Sequence, residues 1–191
     1  MLALPATITR KSIPPGFIDF ASSSFDAILF PNAFPNTHTE SDNKEEVRKR
    51  TTHLPDLIPF IQLITDKCDV QPVHLVMALM YAERFRKSLP AGFKPEAEAA
   101  HRIFVASILI ASKYSEDRCL STKHVVRATG DVWSIKEITR MEIAFLTFLH
   151  WDLYISQDEM TKFLLNLGFD INQIMPNNRT TMLEDTSPSA T

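Results

Sequence analysis

Glycine is scarce in this chain. Its 191 residues include four glycines, Gly16, Gly92, Gly130 and Gly168, and no two lie within thirty residues of each other. A loop that cradles phosphate needs clustered glycines, so that several backbone N–H groups can approach the anion. A Walker loop and a dinucleotide fingerprint are therefore excluded, and with them most nucleotide-dependent enzymes. Cysteine is scarcer still: Cys68 and Cys119 stand alone, with no CxxC and no paired-histidine spacing. A structural zinc site needs about four nitrogen or sulfur ligands at short spacings, so no metal site is expected. Two isolated cysteines point to a reducing, intracellular compartment, nucleus or cytoplasm.

A basic excess is missing as well. Lys and Arg number 20 against 23 Asp and Glu, a net charge of −3. Proteins that neutralise nucleic-acid phosphates usually carry the opposite balance, so no nucleic-acid partner is expected. The longest apolar run, Ile103–Ala111, is broken by Ser107 and falls far short of the roughly 20 residues that span a bilayer. No membrane association is expected. Met1–Arg10 has no charged stretch followed by a long apolar one, so no leader is expected either.

Proline is absent between Pro95 and Pro176, although the chain has 12. Proline breaks helix interiors and is tolerated in a first turn, so this stretch is free to be helical. The residues divide into an irregular N-terminal arm at 1–50, a helical domain at 51–169 and a disordered tail at 170–191. In the arm, prolines, Ser22–Ser24 and the polar run His38–Arg50 work against a packed core. Phe17, Phe20, Phe25, Phe30 and Phe34 are nevertheless apolar enough to dock on another surface, such as the domain's own.

Six helices are predicted in the domain. The first spans roughly Leu54–Lys67, with Leu57, Ile58, Ile61 and Ile64 on one side. Pro72 opens the second, whose stripe is Val73, Val76, Met77, Met80 and Tyr81. Pro95 opens the third, apolar nearly all round to about Tyr114, which marks a helix enclosed by others. Ser121 starts a short fourth that ends at Gly130. The patterns Ser134-x-x-Glu137 and Ser156-x-x-Glu159 open the fifth, to about Leu149, and the sixth, to Gly168. No strand of useful length and no repeat is visible.

Two charges sit where apolar residues belong. The fifth helix's core stripe reads Ile135, Ile138, Glu142, Phe145, Leu149, with a carboxylate in its middle. The third helix carries no charge from Ile103 to Ser112 and then presents Lys113. Periodicity alone leaves two readings open. Lys113 could snorkel at a helix C-terminus while Glu142 curls into solvent. Alternatively the two helices pack together and the charges meet at one groove, because a buried charge is normally paired.

Several segments resemble the cyclin box. Ala111-Ser112-Lys113-Tyr114-Ser115-Glu116-Asp117 is similar to the end of its third helix. Trp133-Ser134-Ile135-Lys136-Glu137-Ile138, with Arg140-Met141-Glu142, Phe145-Leu146 and Leu149-His150-Trp151-Asp152-Leu153, is similar to its fifth. Tyr81-Ala82-Glu83-Arg84-Phe85 resembles the end of its second, and the likeness covers roughly 55–168. Within the family the chain looks most like the fungal PCL/PHO80-like cyclins, which carry one box. The implied fold class is all-α: a single box of five helices around a buried third helix, plus a C-terminal helix.

The resemblance implies a regulatory subunit and not an enzyme. Its partner would be a cyclin-dependent protein kinase, Pho-type or Cdk5-like, acting in cell-cycle or phosphate-responsive control, with no cofactor held by this chain. Lys113 and Glu142 match the lysine and glutamate that cyclins present to the kinase. Tyr114 stands at an aromatic kinase-facing position, and Lys136 and Leu146 fall on the same face. Glu83 matches an acidic residue that usually pairs with an arginine in the first helix, but Leu54–Lys67 contains no arginine. The rival readings are a cyclin-fold scaffold and a transcription-factor-like binding module, the latter of which would want a basic face and often a zinc ribbon. The six histidines sit beside no nucleophile motif and read as structural or surface residues. Ser187-Pro188, the one Ser/Thr-Pro pair, is a candidate phosphosite in the tail.

Overall fold

A computed structural model of the chain describes residues 13, 16–29, 54–90, 99–117 and 119–174. Eight helices and no strand occur among them. They are α1 (Phe17–Leu29), α2 (Leu57–Cys68), α3 (Pro72–Ser88), α4 (Ala99–Ser115), α5 (Thr122–Ala128), α6 (Ile135–Phe148), α7 (Gln157–Asn166) and α8 (Ile171–Ile174).

The hub is α4. Every residue from Ile103 to Ser112 is buried, because α3, α6, α2 and α1 all pack against this helix. That is the enclosed third helix of a five-helix box, α2 to α6, with α7 following as the C-terminal helix. Most punctuation residues act as read, but Ser121 precedes α5 without a side-chain cap, and the Glu159 carboxylate bonds Arg84 instead of completing a box at Ser156. Pro72 occupies the first turn of α3, and Ser134 caps α6 with a complete capping box. Ser156 caps α7 by accepting a bond from the Glu159 N–H.

The described part of the first fifty residues differs from the irregular arm expected there. Among the described part, Phe17–Leu29 is a helix that packs on α2, α3 and α4. Phe17, Ala21, Phe25 and Leu29 repeat every fourth residue, form one stripe and are fully enclosed. Burial of a large apolar side chain contributes about 1.5–3 kcal/mol, enough to outweigh a polar middle. Ser22 turns inward and donates to the Ile18 carbonyl 2.8 Å away, so the serine run does not interrupt the helix. Phe30, Phe34 and His38–Arg50 lie outside the described residues.

That docked helix changes α3. Residues Leu75–Ala82 are buried without interruption, where a single stripe was expected, since α1 covers one side and α4 another. In α2, Phe60 and not Ile58 faces the core, and Ile58 is exposed. At the C-terminal end, Gly168 adopts φ 78° and lets the Phe169 N–H return to the Leu164 carbonyl at 2.9 Å. Phe169 is thereby turned onto α1, with ring centroids 5.1 Å from Phe17 and 5.0 Å from Phe20. Ordered structure also continues into the stretch read as tail, because Ile171–Ile174 is helical and Ile174 is buried.

Candidate functional site

The α4 and α6 helices pack together, and the two misplaced charges meet between them. Lys113 Nζ donates to Glu142 Oε1 at 2.5 Å and to Thr122 Oγ1 at 3.4 Å. The pair is asymmetric: the Glu142 side chain is 8% exposed and that of Lys113 40%. A carboxylate taken out of water is thus balanced by an ammonium that still reaches solvent. This excludes the reading in which Glu142 curls outward.

Local sequence explains why they meet. Ile138, Glu142, Phe145 and Leu149 share the buried face of α6, with Glu142 in mid-helix. Ile135, expected to start that stripe, is exposed, since the first turn of α6 extends past the edge of the box. The capping box fixes the start of α6: the Ser134 N–H and Oγ each donate to Glu137 Oε2 at 2.7 Å. These bonds hold the Glu137 carboxyl below its ordinary range. The chain between α4 and α5 is pinned by the Leu120 N–H, which donates to Ser112 Oγ at 2.7 Å. This keeps Thr122 within reach of Lys113.

The remaining predicted site residues fall at different distances from the pair. Tyr114 follows Lys113 and is half exposed. Leu146 is half-buried, one turn beyond Glu142. Lys136 is exposed but stands six residues before Glu142, about 9 Å along the helix axis, so it flanks the pair and does not join it. Ser187 lies outside the described residues. Glu83 bonds Lys87 on its own helix at 2.9 Å, in place of the missing arginine. His74 is buried beside Glu116 at 3.5 Å, and His101 packs edge-on against Phe60, both structural placements.

Trp151, part of the motif that follows the fifth predicted helix, lies just past the end of α6. Its backbone N–H donates to the Leu146 carbonyl at 3.1 Å, so it closes the turn that carries Leu146. The side chain is 63% exposed, and His150 and Trp151 both adopt left-handed backbone, φ 51° and 60°. Two consecutive non-glycine residues in that region are unusual, and here they form the turn that ends α6. The legible signal was a tryptophan among polar residues directly after a helix.

The Cyclin, N-terminal domain family matches residues 31–154, well over half of the chain. The chain belongs to the cyclin family. Among curated relatives it is similar to PHO85 cyclin-1 of Saccharomyces cerevisiae, 29% identical over 59% of this chain and 40% of that protein. PHO85 cyclin-9 of the same yeast is 27% identical over 71% of this chain and 45% of the relative. Cyclin-U2-2 of Arabidopsis thaliana is 25% identical over 53% of this chain and 43% of the relative. This cyclin therefore matches less than half the length of each of these relatives. Lys113, Tyr114, Lys136, Glu142, Leu146 and Trp151 all lie inside the matched span, whereas α1 precedes it.

Proposed function

We propose that this cyclin is the regulatory subunit of a cyclin-dependent protein kinase, of the Pho-type or Cdk5-like class that the names of its PHO85-cyclin relatives suggest. It binds through the surface around Lys113 and Glu142, with Tyr114 and Leu146 adjoining and Lys136 and Trp151 at the flanks. The observation that carries this reading is the buried carboxylate held by a half-exposed lysine on two tightly packed helices. A lysine already neutralised on one side still has N–H capacity on the other. It can donate to backbone carbonyls of a partner segment without leaving Glu142 unpaired.

The mechanism is allosteric. A kinase of this type needs its regulatory helix turned inward before the Lys–Glu pair of the phosphate site forms. A rigid helical surface that binds only the active arrangement shifts the population toward it. Moving a 1:99 mixture to 99:1 requires a preference of about 5.5 kcal/mol. An interface of standard size, with a desolvated charge pair near its centre and aromatic residues around it, supplies that order of energy. The chain contributes no chemistry of its own, and the ATP site belongs to the kinase. Cys68 and Cys119 are both free thiols, which fits work in the reducing nucleus or cytoplasm.

Capture from a cell extract tests the reading. The unsubstituted chain should retain a cyclin-dependent kinase identifiable by mass spectrometry, and Glu142→Ala should lose it while keeping its helical content. Equal recovery on both baits would reject the site.

A further inference from the structure

The left-handed backbone at His150 and Trp151 persists only where surrounding contacts overdetermine it. His150 and Trp151 return their N–H groups to the Thr147 and Leu146 carbonyls at the end of α6, and the residues directly after them are held by the last turns of α3. Asp152–Ser156 has no regular secondary structure, yet three successive carbonyls are occupied. Arg84 Nη1 donates to the Asp152 carbonyl at 2.8 Å, and Nη2 to the Tyr154 carbonyl at 2.8 Å. Tyr81 Oη donates to the Leu153 carbonyl between them at 2.9 Å. Arg84 Nη2 also bonds Glu159 Oε1 at 2.9 Å, tying α3 to the first turn of α7.

Alternate residues of an extended segment face the same way. A planar guanidinium presents two amino groups in a fixed fork that can take two such carbonyls at once. A lysine's single ammonium has no such fork. Tyr81 is wholly enclosed, and burial, followed by the nearby Tyr114, pushes its phenol above the ordinary range. It therefore remains a donor at any physiological pH.

We propose that Arg84 and Tyr81 are positioning residues. By clamping the carbonyls of residues 152–154 they hold Trp151 exposed at the end of α6, so that the partner meets a preformed tryptophan. Neither residue needs to touch the partner. The inference rests on the kinase-docking reading for its consequence, but the clamp itself can be observed without a kinase.

The chain has two tryptophans, and Trp133 is buried against Phe60. In the full-length Trp133→Phe background, Trp151 is the sole tryptophan reporter. Arg84→Met should lower the fluorescence anisotropy of Trp151 and raise its quenching by acrylamide, with far-UV circular dichroism unchanged. Arg84→Lys should fall between. Tyr81→Phe, which removes one hydroxyl and keeps the ring, should move the same readouts less, and it serves if Arg84→Met does not fold. With a purified Pho-type or Cdk5-like kinase, Arg84→Met should weaken binding roughly tenfold, with no further loss once Trp151→Ala is present.

Unchanged anisotropy and quenching would overturn the clamp. An equal loss of affinity with and without Trp151 would overturn the positioning role in favour of a merely structural one. No binding by the unsubstituted chain would overturn the kinase-docking reading, and the fluorescence pair would still decide the clamp.

Discussion

Lys113 and Glu142 lie 29 positions apart in sequence and 2.5 Å apart in space, joining the end of α4 to the middle of α6. Their exposures differ, 40% for the lysine side chain and 8% for the glutamate, so the two ends of the pair are not equivalent. Lys113→Met strands a buried carboxylate, whereas Glu142→Met leaves an ammonium that water can still reach. An unsatisfied buried polar group costs about 1–3 kcal/mol, more when charged. Lys113→Met should therefore destabilise the fold more than Glu142→Met in urea titrations. The reverse order would show that Glu142 is solvated in solution.

The capping box makes the start of α6 sensitive to acid. The Glu137 carboxyl is held below its ordinary value of 4.5, first by the Ser134 backbone N–H and then by the Ser134 hydroxyl. Because the folded value is the lower one, the unfolded chain binds more protons in that window. The stabilisation is complete above the unfolded value and is lost as pH falls through the folded one. Amide protection over Ile135–Ile138, taken relative to the intrinsic exchange rate at each pH, should fall across that interval and stay level in Glu137→Gln. Identical acid profiles for the two proteins would contradict the assignment.

The aromatic cluster of Phe17, Phe20 and Phe169 joins the first described helix to the end of α7. Such pairs contribute about 0.5–1.5 kcal/mol beyond their burial. Phe169→Ala should increase amide exchange in Phe17–Leu29 far more than in α4. The double variant with Phe17→Ala should lose less than the sum of the single changes. Additive losses would mean the two ends are stabilised independently.

The thiols should separate by environment. Cys119 is exposed, while Cys68 is half-buried and its burial pushes the thiol up, an effect that Lys67 only partly offsets. The thiolate is the reactive species, so an aromatic disulfide reagent near neutral pH should label Cys119 first. Mass mapping that finds Cys68 labelled first would contradict this.

Parts of the fold and site were readable in residues, and the missed parts share a cause. Pro72, Ser134, Ser156 and Gly168 punctuate helices through local chemistry, and each acts in the structure as its residue type implies. Lys113 and Glu142 stood out because a charge on an apolar face is costly without a partner. The failures are tertiary. The Ser22–Ser24 run hides a stripe of every fourth residue that only becomes helical once α2 and α3 cover it. Ile58 and Ile135 are apolar, but their helices extend past the core at those points. Trp151 sits in a left-handed turn, and the residues after it are held by α3 from across the fold, Arg84 bonding Tyr154 70 positions away in sequence. No local pattern encodes that.

The central claim is that the surface around Lys113 and Glu142 binds and activates a cyclin-dependent kinase. A calorimetric titration of a purified Pho-type or Cdk5-like kinase tests it most directly, using the unsubstituted chain, Lys113→Ala and Glu142→Ala, each first shown to be folded by thermal melting. Truncating one member of a desolvated charge pair typically costs about 2–5 kcal/mol. Both variants should lose affinity within that range, and kinase activation should fall with occupancy. Folded variants that bind as tightly as the unsubstituted chain would contradict the account.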